Sequence, residues 1–131
     1  MNPNQYNGLT LAYIGDAVFE LIIRRHCVEL GFGKVNDLHK KVIKYTNGKS
    51  QSEFIHYFLE NNILTEDELL IFKRGRNSHV NTCRKNLDLK DYLDATGFEA
   101  LFGYLYLNNN YERINQLVDI ILKEAKLNDK G

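Results

Sequence analysis

The sequence predicts an all-α domain of about six helices, and three observations carry that reading. No segment alternates apolar and polar residues with period two for long enough to make a strand. Apolar residues instead recur every three or four positions in successive segments separated by turn residues. The one proline is Pro3, so nothing beyond it breaks a helix in that way. A length of 131 residues suits one domain, with a core that needs neither disulfides nor a structural metal.

The first helix is expected over residues 9–30, with Gly31 as its stop and Gly33 in the turn that follows. A shorter helix follows over 36–45, with Asn36 as candidate cap, and Asn47-Gly48 reads as a turn. Ser50 is placed to cap a third helix over 51–61, whose apolar side carries Phe54, Ile55, Phe58 and Leu59. Thr65 followed by Glu68 is a capping box, so a fourth helix starts there and ends near Arg74 at Gly75. Residues 75–87 have no helical period and read as a long loop, a feature that is often functional in small domains. The fifth helix is expected over 89–107, a turn at 108–110, and a last amphipathic helix over 111–125. The terminal LNDKG reads as a frayed tail.

Two of these helices are odd. LTLAYIGDAVFELIIRR, residues 9–25, is apolar almost all the way round, and Asp16 is the only charge in the first 19 residues. Asp16 falls on the face shared by Ala12, Phe19 and Ile23. Gly15 beside it costs helix propensity by about 1 kcal/mol, which suggests that another chain segment comes very close. ATGFEALFGYLYL, residues 95–107, likewise carries one charge, Glu99, on a face with Thr96 and Gly103. If the two helices pack together, both carboxylates meet at one buried edge. Crowded carboxylates repel, and a divalent cation between them removes the repulsion. The competing reading is a pair of ordinary helix residues facing water.

Charge is segregated although the net charge is zero. Residues 73–87 hold five Lys/Arg and no acid, and residues 34–49 hold five lysines against Asp37 alone. A basic patch on a neutral protein suits phosphate contacts, with Lys73, Arg74, Arg76, Arg84 and Lys85 as best candidates and Asn77 for sugar or base edges. Lys40, Lys41 and Lys44 read as a solvated helix face. Cys27 and Cys83 match no metal or redox spacing and read as reduced thiols. The histidines show no ligand spacing, and no Gly-rich phosphate loop or Ser/His/Asp set is visible. No apolar run reaches membrane-spanning length and the start MNPNQYNG is no leader, so a cytoplasmic, membrane-free protein is expected.

LAYIGDAVFE resembles the signature of the ribonuclease III family, whose usual form is LEFLGDAVL, and TGFEALFGYLYL resembles its second motif, usually ADAFEALLGALYLD. Their order, their separation and the RGRN segment between them also fit. The resemblance covers about residues 9–125 and is greatest to the short bacterial branch, Mini-ribonuclease III, which lacks a double-stranded-RNA-binding domain. Asp16 matches the family's catalytic aspartate and Glu99 its metal-binding glutamate. The resemblance implies a Mg²⁺-dependent endoribonuclease, with Mn²⁺ as a substitute, cutting double-stranded RNA as a homodimer. It also implies a role in maturing the large-subunit (23S) ribosomal RNA precursor. Two carboxylates of the longer enzymes are replaced here by Ala12 and Thr96, as in the Mini branch. Thr96, nearly one turn before Glu99, is then placed to hold a water through its hydroxyl; Glu20, one turn after Asp16, reads as a solvent-facing helix residue, with an outer carboxylate for the site as the less favoured reading. The alternative is a non-catalytic double-stranded-RNA-binding helical module, which needs the basic segment but neither Asp16 nor Glu99. A purely structural helical protein would need no lone carboxylates at all.

Overall fold

A computed structural model describes residues 2–31, 33–78 and 88–130, with side chains to Ala125. Six α-helices follow a 3₁₀ turn at Pro3–Gln5: α1 Gly8–Glu29, α2 Val35–Thr46, α3 Gly48–Glu60, α4 Glu66–Arg76, α5 Leu89–Leu107 and α6 Tyr111–Lys130. No strand occurs among the described residues. The all-α expectation and the position of every helix hold, with differences at the ends.

Those differences have local causes. Asn47, expected in a turn, closes α2 and opens α3: its amide donates to the Ile43 carbonyl (2.8 Å) and its Oδ1 accepts from Ser50 N (2.9 Å). Asn47 is therefore the cap that Ser50 was expected to be, and α3 starts three residues early. α2 likewise starts before Asn36, after Lys34, with no side-chain cap bond. α4 runs through Gly75 to Arg76 because that glycine serves packing: a Cβ there would lie 2.6 Å from Ala100 Cβ. α6 continues to Lys130, so the expected frayed tail is helical backbone; no Gly or Pro precedes Gly131 to stop it. Gly31 does end α1, in the left-handed region at φ +93°.

α5 is the central helix, packed against α1, α3, α4 and α6. All its residues from Asp94 to Leu105 are buried except Glu99 and Tyr104, which are half-buried. Around it Phe19, Phe54, Phe58, Phe98 and Phe102 form the centre of the core, with Phe19 edge-on to Phe98 at 4.9 Å between ring centroids. α1 buries the row Leu11, Gly15, Phe19, Ile23 and Cys27, spaced every fourth residue. Burial pushes the Cys27 thiol up, with Lys41 only partly offsetting it, so this sulfur is no activated nucleophile.

The Thr65–Glu68 capping box forms as expected. Glu68 is buried, and its carboxylate also accepts from Arg113 Nε (2.8 Å) and Nη2 (2.9 Å). Arg113 spends a further bond on the Ile63 carbonyl (2.7 Å), tying the start of α6 to the start of α4. Burial raises the Glu68 pKa, but the bonds from Arg113 and Thr65 outweigh it and hold the group below its ordinary value.

Candidate active site

The site begins with two glycines. A Cβ on Gly15 would lie 1.6 Å from the Glu99 carbonyl oxygen, and one on Gly103 would lie 1.9 Å from the Leu11 carbonyl oxygen. α1 and α5 therefore cross backbone on backbone, each presenting a glycine to the other's carbonyl. The close approach expected at Gly15 is real, and its partner is the backbone of Glu99 itself. Asp16, next along α1, and Glu99 line one cleft of about 40 Å³ together with Tyr92, Ala95 and Thr96 of α5, Thr46 of α2, and Gly48 and Gln51 of α3.

The edge is not buried as expected. Asp16 is exposed and Glu99 half-buried. The crossing turns the first residue beyond the glycine outward, so the carboxylates share a cleft open to solvent, where burial costs them little. Ala12 is buried against Leu11, Ile71 and Ala100, surroundings that suit a methyl group. The Thr96 hydroxyl donates to the Tyr92 carbonyl (2.9 Å), so only its lone pairs remain for a water. The Thr46 hydroxyl is spent the same way on Val42 O (3.2 Å). Glu20 does not line the cleft; it lies 3.5 Å from Arg24.

Among the described residues no group of three or more His, Cys, Asp or Glu side chains gathers as a metal cage. The donors here are two carboxylates, hard oxygen ligands that match Mg²⁺, an ion that keeps much of its water. The residues present therefore fit a divalent cation held by two protein groups and solvent.

Sequence reasoning missed Gln51, Thr46, Gly48 and Tyr92. Gln51 had left a signal: it begins the apolar row continued by Phe54, Ile55 and Phe58, where a polar residue is out of place. Asp94 was missed as well. It is buried, accepts from Arg76 Nε (2.7 Å) at one oxygen, and its other oxygen lies 2.8 Å from His56 Nε2.

That pair bears on the basic residues. Lys73, Arg74 and Arg76 lie in the last turn of α4, not in a loop, where cations complement the helix dipole. Lys73 and Asn77 are exposed. Arg74 Nη1 donates to the carbonyls of Asn4 (2.7 Å) and Tyr6 (3.3 Å), holding the N-terminal segment, and Arg76 holds Asp94. Arg84 and Lys85 lie outside the described residues, as do His79 and Cys83.

The chain is similar to known proteins in sequence and in fold. A model of the Ribonuclease III domain matches residues 9–110. The chain is 43% identical to a Mini-ribonuclease 3 of Streptococcus pneumoniae over 96% of its length and 98% of the relative's. It is also 43% identical to one from Enterococcus faecalis, over 92% of each chain. A crystal structure of a Fusobacterium nucleatum protein superposes with a TM-score of 0.83 at 34% identity, covering 91% of this chain and 95% of the other.

Proposed function

The chain belongs to the ribonuclease III family and is an endoribonuclease; we propose that it cuts double-stranded RNA with a divalent cation, Mg²⁺ or Mn²⁺ in its place, held by Asp16 and Glu99. The observation that carries this reading is the glycine-on-carbonyl crossing, which brings Asp16 of α1 and Glu99 of α5 to one open cleft. A cation bound there supplies a water of lowered pKa and neutralises charge developing on the phosphate. Asp16, exposed at the rim, is the group a solvent-borne cation reaches first. Glu99, half-buried on the central helix, holds the inner side. Both sit on helices locked by backbone contact, so the spacing between them is rigid, which hydrolysis of an oriented phosphodiester requires.

The RNA is met by Lys73 and Asn77 at the end of α4 together with Arg84 and Lys85, while Arg74 and Arg76 contribute positive field as they hold the N-terminal segment and Asp94. Such contacts read the shape and phosphates of a duplex rather than its sequence. The protein acts as a homodimer, since one site cuts one strand and a duplex has two. The outer face of α1 supports this: Leu9, Tyr13, Ala17 and Leu21 are all exposed at successive turns, with Tyr13 81% and Leu21 68% accessible. A single catalytic domain over 1–131, a cytoplasmic location and the precursor of the large-subunit (23S) ribosomal RNA as substrate complete the reading. The similarity to Mini-ribonucleases supports them, and no helix among the described residues is long and apolar enough to cross a membrane.

A non-catalytic RNA-binding module would have no use for the paired carboxylates. The test is cleavage of a duplex RNA by the wild type and by Asp16→Asn, each with Mg²⁺ and with EDTA. Cutting by the wild type in Mg²⁺ alone, and none by a folded Asp16→Asn, is expected. Cutting by Asp16→Asn near the wild-type rate would overturn the assignment.

A further inference from the structure

The cleft of Asp16 and Glu99 is walled on one side by the α2–α3 junction, where Thr46, Gly48 and Gln51 line it. Among the described residues, none of α4 lines it. α4 meets α5 instead at Gly97 and Ala100, where a Cβ on Gly75 would lie 2.9 Å from Gly97 Cα and 2.6 Å from Ala100 Cβ. By helical spacing those two positions lie on a different face of α5 from Glu99. The basic end of α4 therefore approaches a duplex from another side than this wall. The cations nearest in the chain to the wall residues Thr46 and Gly48 are Lys44 and Lys49.

Both lysines are exposed, and both stand where the local charge is unfavourable. Lys49 is in the first turn of α3, which holds no acid, and a cation there opposes the helix dipole. One turn on from Lys49 comes Glu53, but lysine before glutamate is the weaker order for a helical pair. The end of α2 favours a cation such as Lys44. Lys40 and Lys41, however, precede Lys44 by one turn, and like charges at that spacing repel. The junction holds the two crowded sites together: Ser50 Oγ donates to the Lys44 carbonyl (2.7 Å), and Asn47 closes α2 and opens α3 between them. An anion at the mouth of the cleft relieves both conflicts. A cleft of about 40 Å³ admits no nucleotide, so an RNA strand lies across its mouth, within reach of exposed side chains.

We propose that Lys44 and Lys49 are RNA contacts, each holding a backbone phosphate beside the cleft mouth on its α2–α3 side. The proposal rests on the reading of duplex RNA as substrate. A lysine is a point charge on a flexible stem, which suits a phosphate and carries no base sequence. Lys44, expected on a solvated helix face, thereby gains a partner. With Lys73 and Asn77 approaching from another side of α5, the duplex is held on both flanks of the phosphate to be cut.

The test measures binding of a fluorescent duplex RNA in EDTA over a range of KCl concentrations. It compares wild type with Lys44→Gln, Lys49→Gln, the double variant, Lys49→Arg and Lys73→Gln. Lys123→Gln, on exposed α6, is the control. Each of Lys44→Gln and Lys49→Gln should lower the slope of log K against log salt by about 0.7–0.9, and the double variant by the sum. Lys49→Arg should keep the wild-type slope, as should Lys123→Gln. In cleavage the double variant should raise KM and leave kcat unchanged, and its melting temperature should not fall. A wild-type slope in the double variant, with a reduced one in Lys73→Gln, would overturn this contact and leave duplex RNA as substrate. An equal drop in Lys123→Gln would reduce the effect to net charge and overturn it too. A lowered melting temperature in both single variants would make the lysines parts of the fold. Failure of the wild type to bind or cut the duplex would overturn the substrate reading, and this contact with it.

Discussion

One added methyl group at Gly15 should separate the two things its crossing does. In Gly15→Ala the new carbon would lie 1.6 Å from the Glu99 carbonyl oxygen, where ordinary contact begins at 3.4 Å. Neither neighbour is a flexible side chain: the nearest atoms are Glu99 O, Glu99 C and Gly103 N, all backbone. The helices must part, by an amount approaching the missing distance. Overpacking of this kind costs about 1–3 kcal/mol or more, and backbone against backbone belongs at the upper end. Alanine returns roughly 1 kcal/mol through helix propensity. A net loss of about 2 kcal/mol remains, which for a chain of this size lowers the melting temperature by roughly 8 °C. The same displacement moves Asp16 relative to Glu99, and a misplacement of about 1 Å is enough to cost roughly 100-fold in rate. The assay pairs thermal melting with duplex cleavage at saturating Mg²⁺, well below the melting point. Gly33→Ala is the control, because a Cβ there meets nothing within 4 Å. A Gly15→Ala protein that melts within 2 °C of wild type, or that is less stable yet cuts at full rate, would refute the claim that this contact sets the geometry of the site.

Three further outcomes follow from other contacts. Tyr13→Asp places a charge in the exposed apolar row of α1 and should yield a monomer by light scattering, with the melting temperature of the monomer itself little changed; a dimer that survives would move the interface elsewhere. Glu68 has a depressed pKa in the folded state, so its contribution is present above the unfolded value, about 4.3, and is lost as pH falls through the lower folded value. Urea midpoints should therefore drop on acidification below about pH 4.3, and Glu68→Gln should be destabilised by about 3 kcal/mol at neutral pH and show less of that acid dependence; an equal dependence would mean that another carboxylate is responsible. Lys73→Gln should lower the slope of log K against log salt for RNA by about 0.7–0.9 at constant stability. Arg76→Gln should instead cost about 1–3 kcal/mol of stability, because it strips a charged hydrogen-bond donor from buried Asp94 and leaves His56 as the other partner; equal melting of the two variants would contradict this division.

Helix number, order and approximate limits were legible because they depend on local chemistry: apolar spacing, turn residues and the Thr65–Glu68 box. The candidate site was legible too, in outline, because a carboxylate beside a glycine in an apolar helix is a local conflict that only a tertiary contact resolves. What periodicity could not supply is which helix faces meet. The Gly15–Gly103 crossing put Asp16 in solvent rather than at a buried edge. The early start of α3 at its Asn47 cap carried Gln51 into the cleft. Arg76 was read as a phosphate contact from its charge, and only the packing of α4 on α5 brings it to Asp94, 18 residues on. Charge and apolar spacing are properties of a segment and stand in the sequence; the partner of a charge or the depth of a side chain belongs to two segments at once, and the docking of helices around α5 decides it.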